Sequence, residues 1–549
     1  MNRPAGVIRV APLAALTILT ATIALNQPVI LRGRTAAADS RLQSSAARTA
    51  PTLPDLDEWI ARAMRTFDVP GLAVAVVKDD QVVVATGYGV RKLGEPAKVD
   101  GRTLFGIASN TKAFTATALG LLVDEHKIEW DAPVGRYLPA FAMWDPYVTR
   151  ELTVRDLLVH RSGLGLGAGD LLWWPESTYD RKEIARRLRF IPPATSFRSA
   201  YAYDNVLYLV AGELIETISG QTWEDFVTTR ILRKVGMNGT NVRHSAAAAG
   251  GNVAEPHAVV DGAVRPIRPF ASDNTNPADG INSSAEDIAR WLRVQLSGGV
   301  LADGTRLFSP ETARELTRVV TPMPNNDPPP ELSPLAANFV GYALGFNIRD
   351  YRGHKIVLHS GGLPGYVSRI VMVPDVKLGV AVFTNQESGE AFDSIAFHIV
   401  DRYLGAAPFD WIGGFDTVRQ RNARAARESV QHAASARDAA AKPSLPLDRY
   451  AGGYRDAWYG DIAIALENGR LVMRFGHTPA LTGDLEHWQH DTFIARWRDR
   501  ELRADAYLTF ALKPDGSVDQ ARMAAVSPET DFSFDFQDLL LKPVRTPER

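Results

Sequence analysis

The chain has 549 residues, of which 45% are hydrophobic and 23% charged, enough apolar content for large cores and too long for one ordinary domain. A formal net charge of −2 supplies no basic field, which argues against a nucleic-acid partner. The absence of cysteine excludes disulfides, a thiol nucleophile, thiolate metal ligands and a lipidated N-terminal cysteine.

The N-terminus pairs Arg3 and Arg9 with an apolar run over 10–25, followed by the small-residue stretch Thr35-Ala36-Ala37-Ala38-Asp39. That order of charge, apolar segment and Ala-x-Ala site predicts an export signal over 1–38, with cleavage near Ala38 or near Ala24, or retention as an uncleaved anchor. The expected location is periplasmic or secreted, with a membrane contact only if the segment is kept. Residues 39–54 read as a disordered, Ala-rich lead-in.

The pattern then predicts a helix over 56–67 and a hairpin of strands 71–77 and 81–85 about the turn Lys78-Asp79-Asp80. An apolar run ends in Ser109, ahead of an Ala/Leu-rich helix over 113–122. Lys112 stands one turn after Ser109, where its amine can lie beside the serine hydroxyl. A serine becomes a good nucleophile only when a base takes its proton, and a lysine serves as that base only if burial lowers its pKa. Capping by Ser109 and a solvated Lys112 is the bland alternative, but no other serine in the chain has lysine three positions on.

Further on, 152–164 reads as a helix ending at a glycine, 165–181 as a loop carrying Trp173-Trp174-Pro175, and 206–218 as a helix closed by Ser219-Gly220. Tyr203-Asp204-Asn205 directly precedes that last helix and is the only Tyr-x-Asn in the chain. A tyrosine oxygen near Lys112 and Ser109 can relay a proton, and the Asn205 amide can both donate to and accept from a substrate. Strands follow over 342–349, 355–358, 368–373 and 379–384, then a helix over 391–403. His359-Ser360-Gly361-Gly362 closes one of these strands, where glycines admit a substrate backbone and the Gly362 N–H can pair with that of Ser109 as an oxyanion hole.

Strands at both ends and helices between them predict an α+β fold: an antiparallel sheet flanked by helices, with a mostly helical lobe against it and a cleft between. This portion is expected to occupy 55–410, followed by a charged linker helix within 411–445. Short alternating strands over 462–467, 470–474, 492–497, 507–512 and 518–524, with turns at Asn468-Gly469 and Asp515-Gly516, predict a small antiparallel β-barrel over 446–549. The solvated linker implies few contacts between the two portions and a first portion that folds without the second.

The three motifs, in this order, resemble those of the serine β-lactamase and penicillin-binding-protein superfamily over about 55–405. The Tyr-x-Asn form is similar to the class C branch and its esterase and D-amino-acid-peptidase relatives. Leu157-Leu158-Val159-His160-Arg161-Ser162-Gly163-Leu164 and Gly280-Ile281-Asn282-Ser283-Ser284-Ala285-Glu286-Asp287 resemble framework segments of the group. The final barrel resembles a lipocalin-like domain appended to such hydrolases.

The resemblance implies a serine hydrolase with Ser109 as nucleophile and Lys112 and Tyr203 as base and relay. It implies an oxyanion hole at the Ser109 and Gly362 amides. Asn205, His359, Ser360 and Gly361 would contact substrate, and Trp173 and Trp174 would line an acyl pocket or form a structural lid. No cofactor or metal is implied: His160, His354 and His359 are scattered, no His-Glu-x-x-His occurs, and His160 reads as a framework residue. No Gly-x-Ser-x-Gly elbow is present.

Two departures bear on substrate. Asp204 stands where the class C motif has serine; turned inward it would raise the Lys112 pKa, and turned outward it would not. His359 stands where the third motif has lysine, replacing a permanent cation for a substrate carboxylate by a group mostly neutral at pH 7. The expected substrate is a small molecule or short peptide carrying an ester or amide. β-Lactamase or DD-carboxypeptidase activity is the alternative within the class, and a non-catalytic cell-wall sensor the alternative outside it. The oligomeric state is open.

Overall fold

The computed structural model describes residues 53–544. The export signal expected over 1–38 and most of the lead-in fall outside these residues. Among the described residues no helix is long and apolar enough to cross a membrane.

The fold is α+β, built on an eight-stranded antiparallel sheet. Its order is Gln81–Gly89, Gly71–Lys78, Leu378–Thr384, Tyr366–Val373, His354–Leu363, Asn347–Tyr351, Val340–Tyr342 and Thr321–Pro322. The N-terminal hairpin thus pairs with the C-terminal strands, Val74 opposite Val382 and Ala75 opposite Ala381. Gly71–Lys78 is buried along almost its whole length, and its residues serve two cores by strict alternation. Leu72, Val74 and Val76 face Ile60, Ile395 and Trp411 of the outer helices Leu56–Thr66, Gly389–Leu404 and Trp411–Ala436. Ala73, Ala75 and Val77 face the other core, which holds helices Ala285–Leu296, Lys112–Asp124 and Val206–Ser219. A strand covered on both faces reads as an unbroken apolar run, which is what the sequence has there.

Two expected elements differ. The helix read over 152–164 is a single turn, Arg155–Leu158. Asp156 is buried and accepts from Thr153 N and Oγ1 and from Arg161 and Arg198, while His160 and Gly163 take positive φ of 55° and 98°. These local bonds compete with helix propagation and win. The strand read over 342–349 is two strands, Val340–Tyr342 and Asn347–Tyr351, broken at Gly345 (φ 81°). A Cβ at Gly345 would lie 2.9 Å from the Lys112 backbone, so only glycine lets this turn pass the Ser109 helix.

The helix Trp411–Ala436 buries Trp411, Ile412 and Phe415 at its start and is mostly solvated beyond. It leads to a closed eight-stranded antiparallel barrel running from Gly452–Asp456 to Leu540–Pro543, shut by the pairs Tyr454–Pro543 and Arg455–Lys542. Strands Gly452–Asp456, Thr482–Gln489 and Leu540–Pro543 were not expected from the sequence.

The expectation of few contacts between the barrel and the portion before it is overturned. Tyr179 Oη donates to the Tyr459 carbonyl, Arg187 donates to the Trp458 carbonyl at 2.7 Å, and Tyr179 stacks on His477 at 3.9 Å. Arg503 pairs with Glu387, and Trp174 packs edge-on to Phe534 at 6.3 Å. One hydrophobic core runs from Leu171, Trp173 and Trp174 into Phe534, Phe536 and the barrel. The linker is solvated as its composition implies, but the loops on either side of the seam are not.

Candidate active site

The site is assembled around a short 3-10 turn, Ala108–Thr111, that feeds the helix Lys112–Asp124. Three anchors hold the turn. The two-residue strand Phe105–Gly106 pairs with Asn282–Ser283, Ile107 N donates to the Ile281 carbonyl at 2.9 Å, and Ile281 N donates to Thr111 Oγ1 at 3.1 Å. From the sheet, Ser368 Oγ donates to the Ile107 carbonyl and accepts from Asn110 Nδ2, each at 2.7 Å. Ala108 adopts a left-handed φ of 49°, a strained conformation that the surrounding bonds impose. A Cβ on Gly361 would sit 2.2 Å from the Ile107 carbonyl, so the glycine of the third motif is what lets its strand lie against the turn that carries Ser109. Gly362, next along, is exposed with open space on its side-chain face.

Ser109 is partly exposed and Lys112 fully buried. The Lys112 amine donates to Ser109 Oγ at 2.9 Å, to Asn205 Oδ1 at 2.7 Å and to the Ala278 carbonyl at 3.2 Å. Burial lowers its pKa to about 8, against the opposing pull of Asp279, Asp170 and Asp204. The Tyr203 phenol lies near enough to Ser109 to be influenced by it, and the lysine Nζ lies 4.9 Å from the Tyr203 ring centroid. Burial raises the Tyr203 phenol well above its ordinary pKa. The two shifts differ in consequence: the amine is brought towards its neutral form, and the phenol is kept protonated.

Of the other expected contact residues, Asn205 lies in the site, but its amide bridges two protein groups, accepting from Lys112 and donating to Asp170 at 2.9 Å. His359 is buried; its Nδ1–H donates to the Ser360 carbonyl at 2.6 Å and its Nε2 accepts from Tyr342 Oη at 2.9 Å. Burial, then the Lys112 charge, push its pKa down to about 3, so the ring is neutral at pH 7. Trp173 is packed inside with Nε1 donating to Asp170 Oδ1 at 2.9 Å, whereas Trp174 reaches a cleft. That cleft, about 470 Å3, runs along the seam between Gly362–Leu363, Trp174, Phe270 and the barrel's Arg503 and Phe534.

Asp204 is turned inward and fully buried, its carboxylate 3.8 Å from His160 Nδ1, and its charge does raise the Lys112 pKa. His160 is a framework residue whose Nδ1 accepts the Asp204 N–H at 3.2 Å.

The sequence reading missed Asp170. Its carboxylate is fully buried and accepts from Trp173, Asn205 and, across the seam, Ser533 Oγ at 2.8 Å. Burial raises its pKa to about 7, opposed by those three donors. The available signal was a lone charge inside the apolar run Gly169-Asp170-Leu171-Leu172-Trp173-Trp174.

Residues 56–403 match the family model described as Beta-lactamase. The chain belongs to the beta-lactamase family. It is a serine hydrolase of that family, and residues 436–543 match a second model described as a domain of unknown function (DUF3471). The Unguisins hydrolase ungD of Aspergillus violaceofuscus is 29% identical over 498 residues, covering 84% of this chain and 86% of the relative. The octameric penicillin-binding protein homologue from Pyrococcus abyssi superimposes with a TM-score of 0.56 at 21% identity, over 89% of this chain and 99% of that one. The D-amino acid amidase of Ochrobactrum anthropi SV3 gives 0.51 at 22% identity, over 64% of this chain and 98% of its own. These two likenesses concern the fold.

With Lys112 as the expected base, kcat/KM should rise with pH through about 8, since an amine accepts a proton only in its neutral form. The raised Tyr203 phenol adds no descending limb below pH 10. A pH–rate profile on a neutral ester checks both limbs.

Proposed function

We propose that this protein is an exported hydrolase of neutral esters or amides, of esterase or D-amino-acid-peptidase type, acting through an acyl-enzyme on Ser109. Lys112 takes the Ser109 proton as Oγ attacks the carbonyl carbon, and the developing oxyanion is held by the Ser109 and Gly362 amides. The proton passes through Tyr203 to the leaving alcohol or amine, and water then attacks the acyl-enzyme, returning the acid and free Ser109. The observation that carries this reading is the buried Lys112 amine 2.9 Å from Ser109 Oγ. Export is supported by the signal-like pattern of Arg3, Arg9 and the Ala36–Ala38 stretch.

The neutral His359 supports substrates without a carboxylate, since the third motif here brings no cation to bind one. The relative named Unguisins hydrolase supports a hydrolytic reaction. The test is a rate panel of p-nitrophenyl butyrate, D-phenylalanine amide and nitrocefin at pH 8, with a fluorophosphonate label read at Ser109. Turnover of the first two well above nitrocefin is expected; preference for nitrocefin, or no label at Ser109, overturns the reading.

The cleft along the seam offers Trp174, Phe270 and Phe534 to a bulky apolar substituent near Gly362. Phe534→Ala is therefore expected to raise KM for aromatic amides by up to about thirtyfold while leaving KM for small esters nearly unchanged, since a large buried ring contributes on the order of 2 kcal/mol. Parallel kinetics on the two substrates check it.

A further inference from the structure

One barrel segment reaches the loop that carries Asp170. In Phe532-Ser533-Phe534-Asp535-Phe536 the two polar side chains are buried together with Phe534 and Phe536. Ser533 Oγ donates to Asp170 Oδ2 at 2.8 Å, beside the bond that Asn205 Nδ2 makes to the same oxygen. Asp535 holds the backbone on either side of Asp170, accepting from Gly169 N at 2.7 Å and Leu171 N at 3.1 Å. Gly167 lies so close to Phe532 that a Cβ there would meet the ring and the carbonyl at 2.8 Å. An unbroken chain of hydrogen bonds therefore runs from Ser109 through Lys112, Asn205 and Asp170 to Ser533.

We propose that Ser533 and Asp535 of the barrel are positioning residues for the hydrolytic reaction: they fix Asp170, Asp170 fixes the Asn205 amide, and Asn205 holds the Lys112 amine on Ser109. This rests on the assignment of Ser109 as nucleophile and Lys112 as base. The physical case is the division of the Asn205 amide. A side-chain amide turned through 180° would present its NH2 to Lys112, which has only protons to offer when charged; a carboxylate on the far side forbids that flip. Asp170 supplies that carboxylate, and with three donors on its two oxygens it is itself locked. Two of those donors, Trp173 and Asn205, belong to the hydrolase portion; the third comes from the barrel.

The groups facing this chain are charged on several sides. Lys112 is faced by Asp279, Asp170 and Asp204, by the rings of Tyr203 and Tyr208, and by His359; Asp170 is faced by Lys112 and Asp535. Ser533 favours the ionised form of Asp170 by donating to it, and the ionised Asp170 favours the lysine ammonium. Loss of the Ser533 hydroxyl therefore leaves less negative charge beside Lys112 near neutral pH, and the amine loses its proton at lower pH.

The experiment compares the full-length parent with Ser533→Ala and Asp535→Asn, measuring kcat, KM and the pH profile on p-nitrophenyl butyrate, with melting temperature alongside. Tyr179→Phe is the control, since it breaks a seam bond to the Tyr459 carbonyl that is outside the chain. Expected are a fall in kcat of about tenfold in both variants with KM within twofold, an ascending limb moved to lower pH in Ser533→Ala, and Tyr179→Phe within twofold of the parent. A kcat within twofold in both variants, an unmoved limb, or an equal loss in Tyr179→Phe overturns the proposal. If Ser109→Ala is inactive while Ser533→Ala behaves as the parent, this inference alone falls; if Ser109→Ala stays active, the catalytic assignment beneath it falls instead.

Discussion

Ser109→Ala is expected to lower kcat by at least about 10^4-fold on any substrate while the protein stays folded. In the proposed reaction the Ser109 oxygen is the one atom that cannot be replaced, since Lys112, Tyr203 and the two amides are proposed to act on it or on what it attacks. The structural cost is small. Ser109 lies inside the 3-10 turn rather than at its cap, its side chain makes no cap bond there, and the turn is held by Ile107, Asn110 and Thr111 through bonds that do not involve it. The Lys112 amine loses one acceptor and keeps Asn205 Oδ1 and the Ala278 carbonyl. Melting temperature should therefore change by a few degrees at most, and circular dichroism should be unaltered. A variant retaining more than a tenth of the parent rate would show that another group is the nucleophile. Lys112→Met separates the roles further. It removes the base but keeps Oγ, so slow labelling by a fluorophosphonate should survive in Lys112→Met and vanish in Ser109→Ala.

Much of this cluster of side chains was legible because several of its members stand at fixed local spacing. Ser109 and Lys112 are one turn apart, and Tyr203 and Asn205 stand together at the start of a helix, so the pattern survives without knowledge of the fold. The sheet was legible for a related reason: Gly71–Lys78 is covered on both faces, and its continuous apolar run could only be a central strand or a buried helix. What escaped notice depends on residues far apart in the chain. Asp170 and Ser533 meet across 363 positions, and no periodicity connects them. The orientation of Asp204 was open because a single residue before a helix can turn either way; its neighbour His160, in a left-handed conformation, receives its N–H and draws it inward. The family resemblance places His359 against substrate through its position in the third motif; in the structure Tyr342 and the Ser360 carbonyl engage its two ring nitrogens, a pairing no local pattern shows. The false helix over 152–164 has the same origin: propensity favoured it, and the buried Asp156 bonded to Arg161 and Arg198 overrode it.

A chain ended at residue 445 should lose both cooperative unfolding and activity, although the solvated helix before the barrel suggests a natural place to cut. Removal strips cover from Leu171, Trp174 and Tyr179, which are buried in a core continuous with Phe534 and Phe536. Exposing two or three large side chains costs about 1.5–3 kcal/mol each, a large share of a typical net stability of about 5–15 kcal/mol. The loop that carries Asp170 would also lose both Asp535 bonds to its backbone and the Ser533 bond to its carboxylate. That loop is the support for Asn205 and hence for the amine on Ser109. A displacement of about 1 Å at a catalytic group typically costs on the order of a hundredfold in rate, so kcat should fall by at least that amount even in whatever fraction remains folded. The measurement is calorimetry together with active-site titration by a fluorophosphonate, which counts competent sites separately from total protein. A truncated chain that melts in one transition near the parent temperature and keeps more than a tenth of its kcat per titrated site would mean that the hydrolase portion is self-sufficient and that the seam is only packing. The opposite outcome would mean that the barrel is part of the active site in the energetic sense, because the stability of the loop and the geometry of Lys112 then rise and fall with it.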